Sequence, residues 1–278
     1  MATITATQVK ELRDATAVSM MECKKALQET DGNIEEATRL LRERGMAVAA
    51  KRAAKATNQG IIASDKSDGG TTVGLVEVNC ETDFVARNDD FKAFVVALAA
   101  KAVTTDEPLS EACADELTDQ IASIGENLKI RRNVRFELQG TGAIADYIHM
   151  GGKVGVLVEL ACEKDNTTEA PAFQELLRDL TLHVAACNPS YLTSDEVPED
   201  ELNAERAIFA KQVEGKPEQI IDKIVDGKVR KFFGEICLVE QGFVKEPKQS
   251  VTDLLAEVGK SVDDTLTIRR YVRYQLGA

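Results

Sequence analysis

The chain offers few residues for nucleophilic or acid–base chemistry, because its 278 residues include two histidines and six cysteines. Cys80, Glu81 and His149 are the set that would supply a nucleophile, an acidic partner and a base, as a cysteine hydrolase requires. The other histidine, His183, stands in an apolar helical pattern, which favours a place in the core. The cysteines show no Cys-x-x-Cys pair and no zinc or disulfide spacing. Their usage predicts a reducing, cytoplasmic setting, with no metal or other cofactor.

An internal repeat argues against catalysis at Cys80. A shift of 82 positions produces a series of identities between the two halves of the chain, and Cys80-Glu81 falls on Cys162-Glu163. A later segment, residues 130–135, recurs after a shift of 138 positions. Such repetition indicates one supersecondary unit used twice. A Cys-Glu pair present in both copies is therefore interpreted as part of the scaffold.

The segment Thr82-Asp83-Phe84-Val85 differs between the two copies. Asp83 falls on Asp165, which favours a shared structural role such as capping a helix. Phe84 and Val85 fall on the polar pair Asn166-Thr167, so the scaffold does not require apolar residues there. The segment lies between an apolar run and a helical pattern, and connecting loops often carry binding residues. Two interpretations of the apolar pair stay open: core specific to the first copy, or an exposed contact for a partner.

The composition narrows the classes of partner. The formal net charge is −13, which argues against nonspecific binding to nucleic acid. No apolar run approaches the roughly 18 residues of a membrane-spanning helix. The first residues show the pattern of neither a signal peptide nor a transit peptide. The expectation is a soluble protein without a membrane partner or direct nucleic-acid binding.

The first 55 residues are predicted to form three short helices and a linker. Apolar residues recur at helical spacing, with a turn at Asp31-Gly32-Asn33. Gly45 is expected to end the third helix as a C′ glycine, before a basic helical linker over residues 47–55. Three helices of this size resemble ubiquitin-associated (UBA) modules, which present one face to a partner. Met20 and Met21, after the first helix, are the candidates for that face; the alternative is that one of them is core.

Each repeat copy is predicted to be an antiparallel sheet with helices on one face, so the fold class is α+β. The first copy, residues 56–140, should contain strands over 61–63, 72–78 and 129–138 and helices over 91–103 and about 110–123. The second copy, residues 141–278, should contain a strand ending at 149, a strand over 154–160 and a helix over 173–186. With residues 1–55 as the helical module, this predicts three domains.

An insertion distinguishes the second copy. The two offsets differ by 56 positions, which places the extra residues at about 188–246. Pro198 favours the start of a helix, residues 214–217 a turn, and apolar residues from Ile220 to Phe232 a returning helix. The segment is therefore predicted to be an antiparallel coiled-coil hairpin. Its role is open between a partner contact, self-association and stiffening.

Five separated motifs resemble, in the same order, those of the bacterial elongation factor Ts family. The motifs are Met20-Met21-Glu22-Cys23-Lys24-Lys25-Ala26-Leu27, Thr82-Asp83-Phe84-Val85-Ala86-Arg87, Ile124-Gly125-Glu126-Asn127, Tyr147-Ile148-His149 leading into Gly155-Val156-Leu157-Val158, and His183-Val184-Ala185-Ala186. Two departures are visible. Ala17-Val18-Ser19 stands where the family often has glycine, and the chain ends at Ala278, so contacts of a longer C-terminal tail are not carried over.

The resemblance implies a nucleotide exchange factor for elongation factor Tu, the GTPase that carries aminoacyl-tRNA, and not an enzyme. In this family the Thr-Asp-Phe-Val segment intrudes near the GTPase's Mg²⁺ site, and the helical module packs on its nucleotide domain. A core loop and the second subdomain make further contacts. The matching residues here are Met20, Met21, Thr82, Asp83, Phe84, Val85, Ile124, Gly125 and His149. A dimer of two factor–GTPase complexes is left open.

Two rival functions belong to other classes. A cysteine hydrolase would show ester turnover, or loss of activity after thiol alkylation. A ubiquitin-type adaptor would bind its partner through residues 1–55 alone, but this leaves the duplicated core without a purpose.

Overall fold

Three helices open the chain in the computed structural model, which describes residues 4–16, 18–213 and 218–278. They are α1 (Ala6–Thr16), α2 (Met20–Glu29) and α3 (Ile34–Arg52). Ser19 and Asn33 cap α2 and α3, because their side-chain oxygens accept from the backbone N–H three residues later. A small core of seven buried residues holds the helices together: Val9, Leu12, Cys23, Ala26, Leu27, Ala37 and Leu41. The predicted three-helix module is confirmed.

The first repeat copy is an antiparallel sheet with helices on one face. Its elements are β1 (Gln59–Lys66), β2 (Thr72–Cys80), α4 (Asp83–Arg87), α5 (Asp89–Ala102), α6 (Leu109–Ala112), α7 (Ala114–Ile124) and β3 (Leu128–Glu137). The strands lie in the order β1-β2-β3. The single helix predicted over about 110–123 is instead two, because Cys113, at φ −117° and ψ 26°, leaves the helical conformation.

The second copy repeats this arrangement around an insertion. Its elements are β4 (Gly142–His149), β5 (Val154–Ala161), α8 (Pro171–Cys187), α9 (Glu199–Lys211), α10 (Glu218–Ile236), β6 (Gly242–Phe243), β7 (Glu246–Ser250), α11 (Val251–Ser261) and β8 (Thr267–Gln275). The sheet order β4-β5-β8 matches that of the first copy. Both central strands carry an irregularity at the equivalent glutamate, Glu77 in β2 and Glu159 in β5. The duplicated α+β fold is confirmed.

The two sheets pack against each other, which explains why their central strands are apolar throughout. Val76, Val78 and Cys80 of β2 face the helices, whereas Val73 and Leu75 face the second sheet. All nine residues of β2 are therefore buried. Between the sheets lies a shared core of six buried residues: Ile62, Val73, Leu75, Phe136, Leu157 and Tyr274.

The prediction that Gly45 ends the third helix is wrong. Helix α3 continues without a break to Arg52, so the linker predicted over residues 47–55 begins as part of the same helix. A Cβ atom at Gly45 would lie 3.0 Å from the Cβ of Ala122 in α7. Glycine at this position allows close approach of two helices and does not terminate one. An exposed ion pair between Arg42 and Asp115, 2.7 Å long, joins the same two helices.

The inserted segment forms the predicted helical hairpin. Helices α9 and α10 pack through an apolar seam that consists of Leu202, Phe209, Ala210, Val213, Ile221, Ile224, Val225, Val229 and Phe233. Pro198 lies at the N-cap of α9, although it was expected to be the first helical residue. Ile220, the first of the apolar residues predicted for the returning helix, is exposed, as is Ile208 of α9. The turn predicted at residues 214–217 lies outside the described residues. None of the helices within the described ranges is long and apolar enough to cross a membrane.

Candidate partner-binding site

Among the large apolar side chains of the described residues, Phe84 is the most exposed, at 80 % of its full accessibility. It lies on the short helix α4, which begins three residues after the last residue of the buried strand β2. The two residues that follow it turn inward: Ala86 is buried and Val85 packs against the core of the first copy. The sequence could not separate core from contact for this pair. The structure assigns Val85 to the core edge and Phe84 to the surface.

Thr82 caps this helix, and the interpretation of Asp83 as the cap is wrong. Thr82 has extended backbone angles, and its hydroxyl accepts from the Val85 N–H at 3.4 Å. Asp83 follows as the first helical residue, and its carboxylate accepts from Arg87 at 2.8 Å. An acid in the first turn and a base in the last turn complement the helix dipole. The Arg87 side chain is 78 % exposed and the Asp83 side chain 47 %, so both are accessible from solvent.

Ile124 and Gly125 lie at the end of α7. Gly125 caps the helix with left-handed backbone angles, φ 79° and ψ 14°, which glycine adopts without strain. A Cβ atom there would meet nothing within 4 Å, so the backbone angle and not crowding explains the glycine. Ile124 is half-buried and packs against the core of the first copy.

Hydrogen bonds bring the Ile124 loop to the Thr82 segment. Glu126 accepts from the backbone N–H of Thr82 at 3.0 Å and from its hydroxyl at 2.7 Å. Glu81 in turn accepts from the backbone N–H of Asn127 at 2.6 Å. Two predicted contact regions, more than 40 residues apart in the chain, are thus adjacent in space. Glu126 was not among the predicted site residues, although the offset of 138 pairs it with another acid, Asp264.

The same hydrogen-bond group reaches the helical module. Arg52, the last residue of α3, donates to Glu81 at 3.0 Å, and the Asn127 side chain donates to the Lys55 carbonyl at 2.8 Å. The hydrogen bond from the Asn127 backbone, followed by that from Arg52, lowers the pKa of Glu81. The carboxylate therefore stays ionised and keeps the end of α3 at the base of α4.

His149 ends β4 and reaches the same region through the turn that follows it. Its Nδ1 is hydrogen-bonded to the Tyr147 hydroxyl at 2.8 Å, and its side chain is exposed. The next residue, Met150, is 73 % exposed and lines a groove of about 500 Å³ together with Asp83 and Arg87. The turn is docked on β1, because the Ile62 N–H donates to the Gly152 carbonyl at 2.8 Å. Met150 was not predicted, and its exposure is visible only in the fold.

Met20 and Met21 lie apart from this group, on the helical module. They are the first two residues of α2, and they are 45 % and 63 % exposed. The alternative that one of them is core is therefore wrong. Ala17-Val18-Ser19 is the segment that departs from the family pattern. Val18 packs against the module's core and Ser19 caps α2, while Ala17 lies outside the described residues.

The arrangement around Cys80 does not suit a nucleophile. Its thiol is buried and donates to the Thr82 carbonyl at 3.1 Å. Burial, with a smaller effect of Glu126, raises its pKa to about 11, so it is protonated at neutral pH. All six cysteines lie within the described ranges and are free. In the same ranges no group of three or more His, Cys, Asp or Glu side chains is placed to hold a metal ion.

Fold and site together define a duplicated α+β protein with an N-terminal helical module and an exposed apolar side chain on α4. The family model described as Elongation factor TS matches residues 81–278. Over its whole length the chain is similar to proteins named Elongation factor Ts. It is 41 % identical to that of Desulfovibrio desulfuricans, with all of both chains covered. It is 45 % identical to that of Syntrophotalea carbinolica and 41 % to that of Clostridium botulinum (strain Alaska E43 / Type E3), covering 99 % of this chain and 93 % of each relative. The chain belongs to the elongation factor Ts family, and so to the translation elongation factors.

Proposed function

We propose that this protein is a guanine nucleotide exchange factor for elongation factor Tu. In this proposal it promotes GDP release by destabilising the Mg²⁺ and phosphate site of the GTPase. Family membership supports the class of function. One structural observation supports the mechanism: Phe84 projects from α4 with 80 % of its surface exposed, while Val85 and Ala86 anchor the same helix to the core.

The contact surface is assigned from the family resemblance, and exposure divides the roles within the Thr82–Val85 segment. Phe84 and Asp83 are the contacting residues of the Thr82–Val85 segment, while Thr82 and Val85 hold the segment in place. Further contacts are assigned to Ile124 and Gly125 at the end of α7 and to His149 at the end of β4. Met20 and Met21 would supply the contact of the helical module. The domains follow the same division, with the module at residues 1–55 and the two copies at residues 56–140 and 141–278.

The energetics of exchange need no covalent chemistry. A factor accelerates release if it binds the empty GTPase better than the GDP-bound one, and the coupling is reciprocal, so GDP weakens the factor equally. Burying a phenylalanine stabilises a complex by about 1.5–3 kcal/mol. Since each tenfold in affinity corresponds to about 1.4 kcal/mol, a Phe84 contact made only with the empty GTPase would supply about one or two decades of coupling.

Release of a fluorescent GDP analogue from purified elongation factor Tu tests the function. The labelled complex is mixed with excess unlabelled GDP, with and without this protein at a small fraction of the GTPase concentration. The expected result is faster release at these catalytic amounts. Unchanged release in the presence of a folded protein would overturn the proposal.

A further inference from the structure

Two carboxylates at the base of α4 accept hydrogen bonds from the backbone. Glu126 Oε2 accepts from the Thr82 N–H at 3.0 Å, and Glu81 Oε1 accepts from the Asn127 N–H at 2.6 Å. Each acid therefore binds the backbone beside the other acid. We call this pair, Glu81 and Glu126, the carboxylate clamp. It joins the turn after β2 to the turn before β3, and it uses charged acceptors, which form the stronger hydrogen bonds.

The clamp also orients the cap of α4. The Thr82 hydroxyl has one proton, which it donates to Glu126 Oε1 at 2.7 Å. Its lone pairs are thereby directed to the Val85 N–H, from which it accepts at 3.4 Å. A helix of five residues has little stability of its own, since its hydrogen bonds barely offset the cost of nucleation. The position of α4, and with it the direction of Phe84, thus depends on contacts such as this one.

The second copy contains one half of this clamp, without the apolar residue. Asp264 lies at the position equivalent to Glu126 and accepts from the Lys164 N–H at 3.0 Å, just as Glu126 accepts from Thr82. It also accepts from the Glu163 N–H and from the Thr167 hydroxyl. The helical turn that it holds carries polar Asn166 where the first copy has Phe84. The chain therefore supplies its own matched control.

We infer that Glu126 is a positioning residue for nucleotide exchange: it holds Thr82, and so α4, in the orientation that presents Phe84 to the GTPase. This inference rests on the proposed exchange function. Glu126 acts through Thr82 and needs no contact with the partner. Its loss should affect the step in which Phe84 is inserted, while the remaining contacts keep the affinity of the factor.

The structural half of the test uses amide hydrogen exchange and needs no GTPase. Protection of a peptide covering residues 82–88 is compared in the wild type, Glu126→Ala and Glu126→Gln. The Ala variant should lose protection at this peptide. The Gln variant should recover part of it, because its amide retains one acceptor oxygen. Asp264→Ala should leave residues 82–88 protected and instead expose the turn at residues 163–168. Unchanged protection of residues 82–88 in Glu126→Ala would overturn the clamp.

The kinetic half measures GDP release across a range of factor concentrations. For Glu126→Ala we expect the maximal release rate to fall about tenfold, which corresponds to about 1.4 kcal/mol, with the half-saturating concentration nearly unchanged. For Glu126→Gln the maximal release rate should fall less. Asp264→Ala, although it loses at least as many hydrogen bonds, should keep the wild-type maximal rate. In a Phe84→Ala background, replacing Glu126 should have little further effect.

The outcomes distinguish failure of the proposed exchange function from failure of the positioning role of Glu126. A merely structural role for Glu126 predicts a lower melting temperature but an unchanged maximal rate at temperatures where the variant is folded, and that result would overturn the inference. A full additional loss in the Phe84→Ala background would also overturn it. If the wild type itself fails to accelerate GDP release, the proposed function is wrong. Amide hydrogen exchange still decides in that case whether the carboxylate clamp holds α4. If Glu126→Ala does not fold, Glu126→Gln carries the same comparisons.

Discussion

The Ser64 hydroxyl donates to the Asp146 carboxylate at 2.5 Å, and the two residues occupy equivalent positions of the two repeat copies. Equivalent residues meet in this way only near a local two-fold axis. Other contacts repeat across the same axis. Arg132 donates to the Gln275 carbonyl and its equivalent Arg270 donates to the Glu137 carbonyl. The core is thus an internal dimer, which fixes the turn after His149 against the first copy.

Loss of a buried glutamate at this interface should strongly destabilise the fold. Glu159 is fully buried and accepts from Arg270 at 2.7 Å and from the Gln139 N–H at 2.8 Å. Removing one partner of a buried ion pair costs about 3–5 kcal/mol, and the value here should fall at the low end, about 3 kcal/mol, because Arg270 keeps 33 % of its side chain exposed. We expect Glu159→Ala to lower the free energy of unfolding in urea by this amount.

Glu137→Ala is the control for that measurement. Its side chain is exposed and pairs with Arg135 at the surface, where such pairs contribute about 0–1 kcal/mol. Similar losses in the two variants would contradict the importance of the buried pair.

Two adjacent glycines test how the His149 turn is held. Gly151 and Gly152 both have positive φ, but a Cβ atom at Gly151 meets nothing within 4 Å, whereas one at Gly152 would lie 2.5 Å from the Ile61 Cγ2 atom. Gly151→Ala should cost about 1 kcal/mol from the backbone conformation alone. Gly152→Ala should cost about 1–3 kcal/mol more, because it overpacks the contact with β1. Equal melting temperatures for the two variants would show that the turn moves freely on β1.

The fold followed from the sequence where the signal was periodic or repeated. The identities at a fixed offset predicted two similar α+β copies, and alternating or apolar runs predicted their strands. Predictions from single residues were wrong where one residue type can serve two structural roles. Gly45 serves a helix–helix approach and not a helix end, and Asp83 pairs with Arg87 while its neighbour Thr82 caps the helix.

The candidate site was predictable in part. The resemblance placed the motif at Phe84, but its exposure depends on contacts between residues distant in the chain, which no local pattern reveals. The hydrogen bonds between Glu126 and Thr82 join residues 44 positions apart. The recurrence of an acid at the equivalent position, Asp264, was the only signal of that contact in the sequence.

Phe84→Ala should separate binding function from stability. Because the side chain is 80 % exposed, its removal should change the free energy of unfolding by less than about 0.5 kcal/mol. Loss of a buried phenylalanine contact in the complex should slow factor-stimulated GDP release about tenfold to a hundredfold. Val96→Ala is the control, since Val96 is exposed on α5 outside the assigned surface. Equal release rates for the Phe84→Ala and Val96→Ala variants would rule out Phe84 as the residue that promotes GDP release.

His183 should make the fold sensitive to acid. It is fully buried, its Nδ1 accepts from the Val244 N–H at 3.1 Å, and its Nε2 therefore carries the proton and faces Gln241 Oε1 at 3.0 Å. Burial lowers the pKa of His183, against a smaller opposing effect of Gln241. The folded state thus holds the ring neutral below the ordinary histidine pKa of about 6.5, where the unfolded chain takes up a proton.

The sign of the effect follows from this difference in proton binding. The contribution of His183 to stability is fully present above about pH 6.5 and is lost as the pH falls toward the lowered folded pKa, by up to about 1.4 kcal/mol per pH unit. Urea unfolding at pH 7.5, 6.5 and 5.5 should show a steeper loss below pH 6.5 in the wild type than in His183→Gln. Between pH 7.5 and 8.5 the two proteins should have parallel profiles, because the ring is neutral in both folded and unfolded wild type. Parallel profiles below pH 6.5 as well would mean that the ring takes up its proton without leaving the core.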